Sequence, residues 1–286
     1  MKALARWAMD SRRNAIIAAG ACLAIPLLFW LGAAIQALVL LRQGLRDGGQ
    51  VVLWSLLPAF VWAGMGDPTP LVVALGASAC AIVLRNTIRL DLAVLLSAGI
   101  GIALYLLLPV VLSDILPVVQ QAIEQTLTET YKDDPEFLSY LTPLVGPMIA
   151  GGLAALHSLV IILCLLLGRY WQAVMFNPGG FGQEFKQLRL PLAFSLPATL
   201  VSLAAGQLQP ELAGVTPVLT VPLLLAGLAL FHGALTQLRA SPTWMVLVYL
   251  ALFLFGPYMY TLLIFGAALD SVFNIRSRLK DTAGDD

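Results

Sequence analysis

The chain has 286 residues, 59% of them hydrophobic and 11% charged, with a formal net charge of zero. A soluble domain carries about 25% charged residues, so this composition excludes an ordinary soluble protein, and a zero net charge removes any general case for nucleic-acid binding. Mean hydropathy is +0.88, and the polar residues gather between apolar runs on the scale of the roughly 20 residues that a membrane-spanning helix needs.

Hydrocarbon offers the backbone no hydrogen-bond partners, so only helices or a closed barrel can cross it. These runs are continuous Leu, Ala, Val and Ile without period-two alternation, which selects helices. The reading is an all-α, polytopic transmembrane helix bundle of eight to ten segments, a single integral membrane domain over residues 1–286. Cys22, Cys80 and Cys164 each lie inside an apolar run without Cys-x-x-Cys spacing. They read as buried small hydrophobes rather than as a redox or metal site.

In chain order, residues 1–13 are basic, with Lys2, Arg6, Arg12 and Arg13. The apolar run 14–41 follows, broken at Pro26, and it continues past any cleavage site, so an uncleaved first segment is expected. Runs at 51–65, 70–84 and 92–112 come next, then 143–168, 191–206, 215–238 and 244–273, the last broken at Gly256-Pro257. Orientation follows from the basic residues. If 14–41 and 244–273 each cross once, Arg42, Arg46, Arg85, Arg89, Arg169, Lys186, Arg189 and Arg239 fall on the side opposite the N-terminus. If each folds back at its proline, all of these join the basic N-terminus, and only Lys132 lies outside. The positive-inside rule selects the second arrangement. It places both termini in the cytoplasm of a bacterial inner (cytoplasmic) membrane.

The stretch 113–142 is acidic. Val119, Ile123, Leu127 and Tyr131 recur every four residues, which makes one apolar helix face. It is expected to be an external interfacial helix, with a lid over an outward-facing cavity as the sharper alternative. In 143–168 the small residues Gly146, Ala150, Ala154 and Ser158 form a stripe that admits a close neighbour, and Ala226, Ala229 and Gly233 form a second. The tail 280–286 is expected to be disordered.

Few residues carry chemistry. The two histidines, His157 and His232, both fall within apolar segments beside the small-residue stripes. Intramembrane ionisable groups favour the bundle interior or a cavity, so they are read either as packing groups or, with Trp62, as lining a solute site. Asp270 shares a helical face with Gly266, Asn274 and Arg278, and is expected to pair with a basic residue at the inner end of the last segment, Arg276 among the candidates. Residues 169–190 form the expected cytoplasmic loop, RYWQAVMFNPGGFGQEFKQLRL. Asn177-Pro178-Gly179-Gly180 is a tight turn. Phe181, Glu184, Lys186 and Arg189 are candidates for partner binding, and Asp270, Asn274 and Arg276 for partner binding or coupling. No Gly-Lys-Ser/Thr ending, nucleophile elbow or His-Glu-x-x-His occurs. No catalytic set, metal site or cofactor is assigned, and the chain is not read as an enzyme.

NPGGFGQEFKQLRLP at 177–191, FHGALTQLR at 231–239 and LDSVFNIRSRL at 269–279, in this order, resemble the YybS-like family of predicted bacterial membrane proteins. Asp270, Asn274 and Arg276 match its final Asp-x-x-x-(Asn/Asp)-x-Arg pattern. The family is of unknown function, and it is distantly similar to the substrate-binding S-components of energy-coupling-factor transporters. The expected function is small-solute binding or transport between helices, with the lipid bilayer and a membrane or cytoplasmic protein as further partners. The alternative is a non-catalytic scaffold or assembly factor that binds a partner through its cytoplasmic loops.

Overall fold

The structure, a computed structural model, describes residues 2–241 and 243–282. It is all-helical, 88% helix, with no strand among the described residues. In chain order the helices are α1 (Lys2–Asp10), α2 (Arg12–Ala24), α3 (Phe29–Ser55), α4 (Leu57–Gly64), α5 (Thr69–Thr87), α6 (Leu90–Val111) and α7 (Leu116–Thr130). They continue with α8 (Pro135–Phe176), α9 (Gly180–Lys186), α10 (Leu192–Leu208), α11 (Pro210–Gln237), α12 (Thr243–Leu254), α13 (Gly256–Phe273) and α14 (Ile275–Thr282). Among the described residues five stretches are long and apolar enough to cross a membrane: Pro26–Ser55, Thr69–Thr87, Leu90–Val111, Pro135–Phe176 and Pro210–Gln237. Large apolar side chains stand exposed along the helices, such as Leu106, Val110, Leu200 and Phe253. A soluble surface rarely carries contiguous apolar patches of this kind, whereas lipid contact favours them.

The chain forms two compact units, Met1–Ile100 with Leu156–Glu184, and Gly101–Ala155 with Phe185–Asp286. In the first unit Ser11 caps α2, its side chain accepting from the Asn14 amide at 3.1 Å. The helix stops at Ile25, Pro26 opens a 3₁₀ turn to Leu28, and α3 packs back along α2. A Cβ on Gly32 would lie 2.7 Å from the Ala19 carbonyl, so the glycine permits this close hairpin. The expected break at Pro26 is therefore a fold-back.

The chain reverses again between the runs 14–41 and 51–65, where the sequence places a basic connector, and it does so at one residue. Gly44 has φ 78° and ψ −176°, outside the helical region. Gln36 Nε2 donates to Ser55 Oγ at 2.8 Å. Nineteen residues of straight helix would separate these groups by about 28 Å, so α3 doubles back at Gly44. Pro26–Ser55, although long enough for one span, is thus two antiparallel arms. Its first arm is the core of the unit, with Ala33 through Leu41 at most 5% exposed. α5 packs on α3, and Ser78 Oγ reaches Gln36 Oε1 at 3.4 Å, so the buried amide is held from two helices.

In the second unit close backbone approaches organise the packing. A Cβ on Gly151 would overlap the Gly214 carbonyl, and one on Gly227 the Leu263 carbonyl. Tyr105, Leu108, Ala150, Ala154 and Val218 form one buried apolar cluster. Ala150 and Ala154 belong to the stripe read from the sequence. α12 and α13 are separated at Phe255, whose φ of −120° and ψ of 37° end the helical run just before Gly256-Pro257, the expected break point.

Two polar stretches differ from expectation. Residues 113–142 hold α7, a break at Tyr131–Asp134, and then the first turns of α8. Residues 169–176 continue α8, and only 177–179 and 187–191 are non-helical connectors in the expected loop. At 42 residues α8 is about 63 Å long, against a hydrocarbon core of about 30 Å. Its polar ends thus overhang the apolar run instead of ending with it. α14 carries the backbone to Thr282, and residues 283–286 of the expected disordered tail lie outside the described residues.

Candidate functional site

The second unit holds a cavity of about 420 Å³. Its apolar wall includes Leu116, Ile149, Ala150 and the prolines Pro109, Pro117 and Pro147; its polar groups are Tyr105, Ser113, Gln120 and Glu211. The prolines shape it chemically. Pro109 lies inside α6 and removes the amide that would bond the Tyr105 carbonyl. Pro147 likewise removes the donor for the Pro143 carbonyl in α8. Tyr105 OH donates to the Glu211 carbonyl at 2.8 Å, tying α6 to the start of α11. Gln120 Nε2 donates to Glu124 Oε1 at 2.8 Å. A pocket of this volume with few convergent polar groups has the size and character of a small-molecule site.

The same unit contains a set of clamped turns around Asp270. Asn274 adopts the left-handed conformation, φ 48° and ψ 58°, and its amide caps Asp270 O, ending α13. Helix ends leave carbonyls unpaired, and here arginines fill them. Arg189 donates from Nε to Asp270 O at 3.0 Å and from Nη2 to Ser271 O at 2.9 Å. Arg276 donates to Lys186 O at 2.7 Å and Leu188 O at 2.8 Å. It also lies 3.3 Å from Asp270 Oδ2. Asp270 is 1% exposed. Burial holds the Arg276 guanidinium below its ordinary pKa; Asp270 opposes this and nearby Arg189 adds to it. Asp270, Asn274, Arg276 and Arg189 thus come together, joined by the Lys186 backbone, as a lock on the 186–190 segment.

Phe181 and Glu184 belong to the first unit. Phe181 meets Tyr170 edge to face at 6.1 Å. Glu184 pairs with Arg169 Nε at 2.8 Å. Burial raises the Glu184 pKa, and the Arg169 charge and hydrogen bond only partly offset this. Arg169 and Glu184 line a polar pocket of about 360 Å³ with Arg85, Asn86 and Gln172. Arg85 and Gln172 both donate to Leu41 O, just before the Gly44 reversal. Both units thus use side chains to satisfy carbonyls where a helix ends.

Trp62 donates from its indole to Ala24 O at 3.2 Å, closing the end of α2. His157 is half-buried in the first unit, next to Ser158, whose hydroxyl donates to Ser97 O at 2.8 Å. His232 lies in the second unit, with Nδ1 2.7 Å from Leu228 O and Nε2 3.3 Å from Tyr249 OH. Its ring also meets Phe185 at 5.8 Å. The linings of the two cavities described here include none of these three residues. Sequence reading passed over Tyr105, Gln120 and Glu211. They are separated by up to 106 residues, and only the recurrence of proline in apolar helices hinted at the cavity. Comparison with protein-family models, curated proteins and solved structures yields no match.

Proposed function

We propose that this is a multi-pass protein of a bacterial inner membrane that binds a small solute in the cavity of its second unit, in the manner of a transporter or transporter subunit. The observation that supports this is the cavity itself: about 420 Å³, apolar-walled, with polar side chains at a few points.

The breaks in the helices sharpen the topology. Taken with the Gly44 reversal, they divide the chain into ten segments: 12–24, 29–43, 45–64, 69–87, 90–111, 135–176, 192–208, 210–237, 243–254 and 256–273. Basic residues flank every second connection. Arg42 and Arg46 flank Gly44, Arg85 and Arg89 flank Ile88, Arg169, Lys186 and Arg189 flank or occupy 177–191, and Arg239 follows α11. The connections at 25–28, 65–68, 209 and 255 have none, and 112–134 has only Lys132. By the positive-inside rule this alternation supports ten segments with both termini cytoplasmic and the cavity opening on the outer, acidic side. The short end hairpins need not cross fully, since a fold-back returns the chain to the same side. The arginines of the clamped turns spend their donors on internal carbonyls, which favours solute binding over a scaffold that presents them to a partner.

Thiol labelling tests the reading. Cys22, Cys80 and Cys164 are replaced by alanine, and single cysteines are placed by Ser113→Cys, Ile149→Cys and Gln183→Cys. In intact cells an impermeant maleimide is expected to label the first two positions, while the third reacts only after permeabilisation. Adding Ala150→Phe should slow Ile149→Cys labelling at least tenfold and spare Ser113→Cys. Labelling of Gln183→Cys from outside, or no effect of Ala150→Phe, would overturn it.

A further inference from the structure

The polar groups of the cavity are unequal in kind, and their inequality selects a ligand. This step rests on the cavity reading above. The lining contains one carboxylate, Glu211, and no cationic side chain. Its donors are largely spent inside the protein: Tyr105 OH on the Glu211 carbonyl, and Gln120 Nε2 on Glu124. What remains in the lining is mostly acceptor chemistry. That comprises the carboxylate of the exposed Glu211, the Gln120 Oε1 and the Tyr105 carbonyl whose helical donor Pro109 removes, with the Ser113 hydroxyl able to accept or donate. The surrounding connection adds charge of the same sign. Asp114 follows Ser113, Glu124 lies one turn from Gln120, and Lys132 is the single base between 112 and 134. A negative rim of this kind concentrates cations and repels anions.

The walls select the other half of the ligand. Pro109, Pro117, Pro147, Ile149, Ala150 and the Tyr105 ring offer apolar and aromatic surface. We infer that the cavity takes an organic cation, a protonated amine on a compact apolar or aromatic body, with the head toward Glu211 and the body against the prolines. A carboxylate or phosphate of the same size would meet acceptors and negative charge without a free cationic partner.

Three probes of matched shape test this: phenethylamine, phenethyl alcohol and phenylacetate. Binding is measured by ligand-observed NMR on the full chain in nanodiscs of zwitterionic lipid, for wild type, Glu211→Gln and Ala150→Phe. A charge pair in a partly screened site is worth about tenfold in affinity. The amine is expected to bind about tenfold tighter than the alcohol, and phenylacetate weakest. Glu211→Gln should bring the amine to the level of the alcohol and leave the alcohol unchanged. Glu211 is exposed, so this variant keeps the fold. Equal or tighter binding of the alcohol or phenylacetate, or an amine affinity indifferent to Glu211→Gln, would overturn the cation assignment while leaving the cavity reading standing. If Ala150→Phe removes no binding of any probe, the cavity reading fails, and the cation assignment fails with it.

Discussion

Removing the Asp270 charge should unlock the clamped turns of the second unit. The Asp270 and Arg276 side chains are 2% and 11% exposed, with Oδ2 and Nη2 3.3 Å apart. Breaking a buried pair by deleting one member costs about 3–5 kcal/mol, because the other charge is left without compensation. In Asp270→Asn two guanidiniums, Arg276 and Arg189, remain against the same helix end without a counter-charge. A loss of about 3–5 kcal/mol is therefore expected. Arg276→Gln loses the pair and the bonds to Lys186 O and Leu188 O, but Arg189 stays beside Asp270. Its expected cost is still at least as large, about 3–5 kcal/mol, because the buried carboxylate loses its ion-pair partner and two carbonyls lose charged donors. The assay is reversible unfolding in mixed micelles titrated with dodecyl sulfate, read by circular dichroism, for both single variants and the double. The coupling energy should exceed about 1 kcal/mol, the mark of groups in one network. An Asp270→Asn loss below about 0.5 kcal/mol, or strict additivity, would refute the buried lock.

Three further expectations can be checked with the same unfolding assay. Gly151→Ala should cost about 1–3 kcal/mol, since its Cβ would overlap the Gly214 carbonyl, whereas Gly152→Ala, with nothing within 4 Å, should be tolerated. Gly44→Ala should cost about 1–2 kcal/mol for a side chain at φ 78°, with Gly49→Ala as a helical control. Glu184 gives a pH signature. Its folded pKa is raised by burial, so the folded state holds its proton more tightly than the unfolded chain. Its contribution is then fully present below the ordinary glutamate value of about 4.3 and is lost as pH rises through the raised folded value. The stability of wild type relative to Glu184→Gln should accordingly fall with rising pH over that interval, and a rise would contradict the burial argument.

The apolar runs, the breaks near Pro26 and Gly256-Pro257, and the Ala150 and Ala154 stripe were legible because each follows from local composition. The tightness of the reversal at Gly44 was not. LLRQGLRDGG reads as a polar connector, and only the hydrogen bond from Gln36 to Ser55 shows how tightly the chain returns. The overhang of α8 was hidden for a related reason: polarity marks where a membrane ends, but a helix need not end there. Asp270 and Arg276 were legible as an ionic pair from their spacing near a segment end. Arg189 was read as a surface contact, because nothing in its neighbourhood shows that the nearest unpaired carbonyls lie 81 residues away. The cavity was illegible for the same reason, since its polar groups come from three helices and the turn after Val111.

The most direct test of solute binding is native mass spectrometry of the gently extracted full-length protein beside Ala150→Phe. A small-molecule adduct on the wild type, absent from a variant with the same circular dichroism spectrum, is the predicted result, and its mass would give the ligand class. A bare wild-type chain that instead carries a co-purifying protein, or an adduct equally present on Ala150→Phe, would contradict the cavity as the functional site.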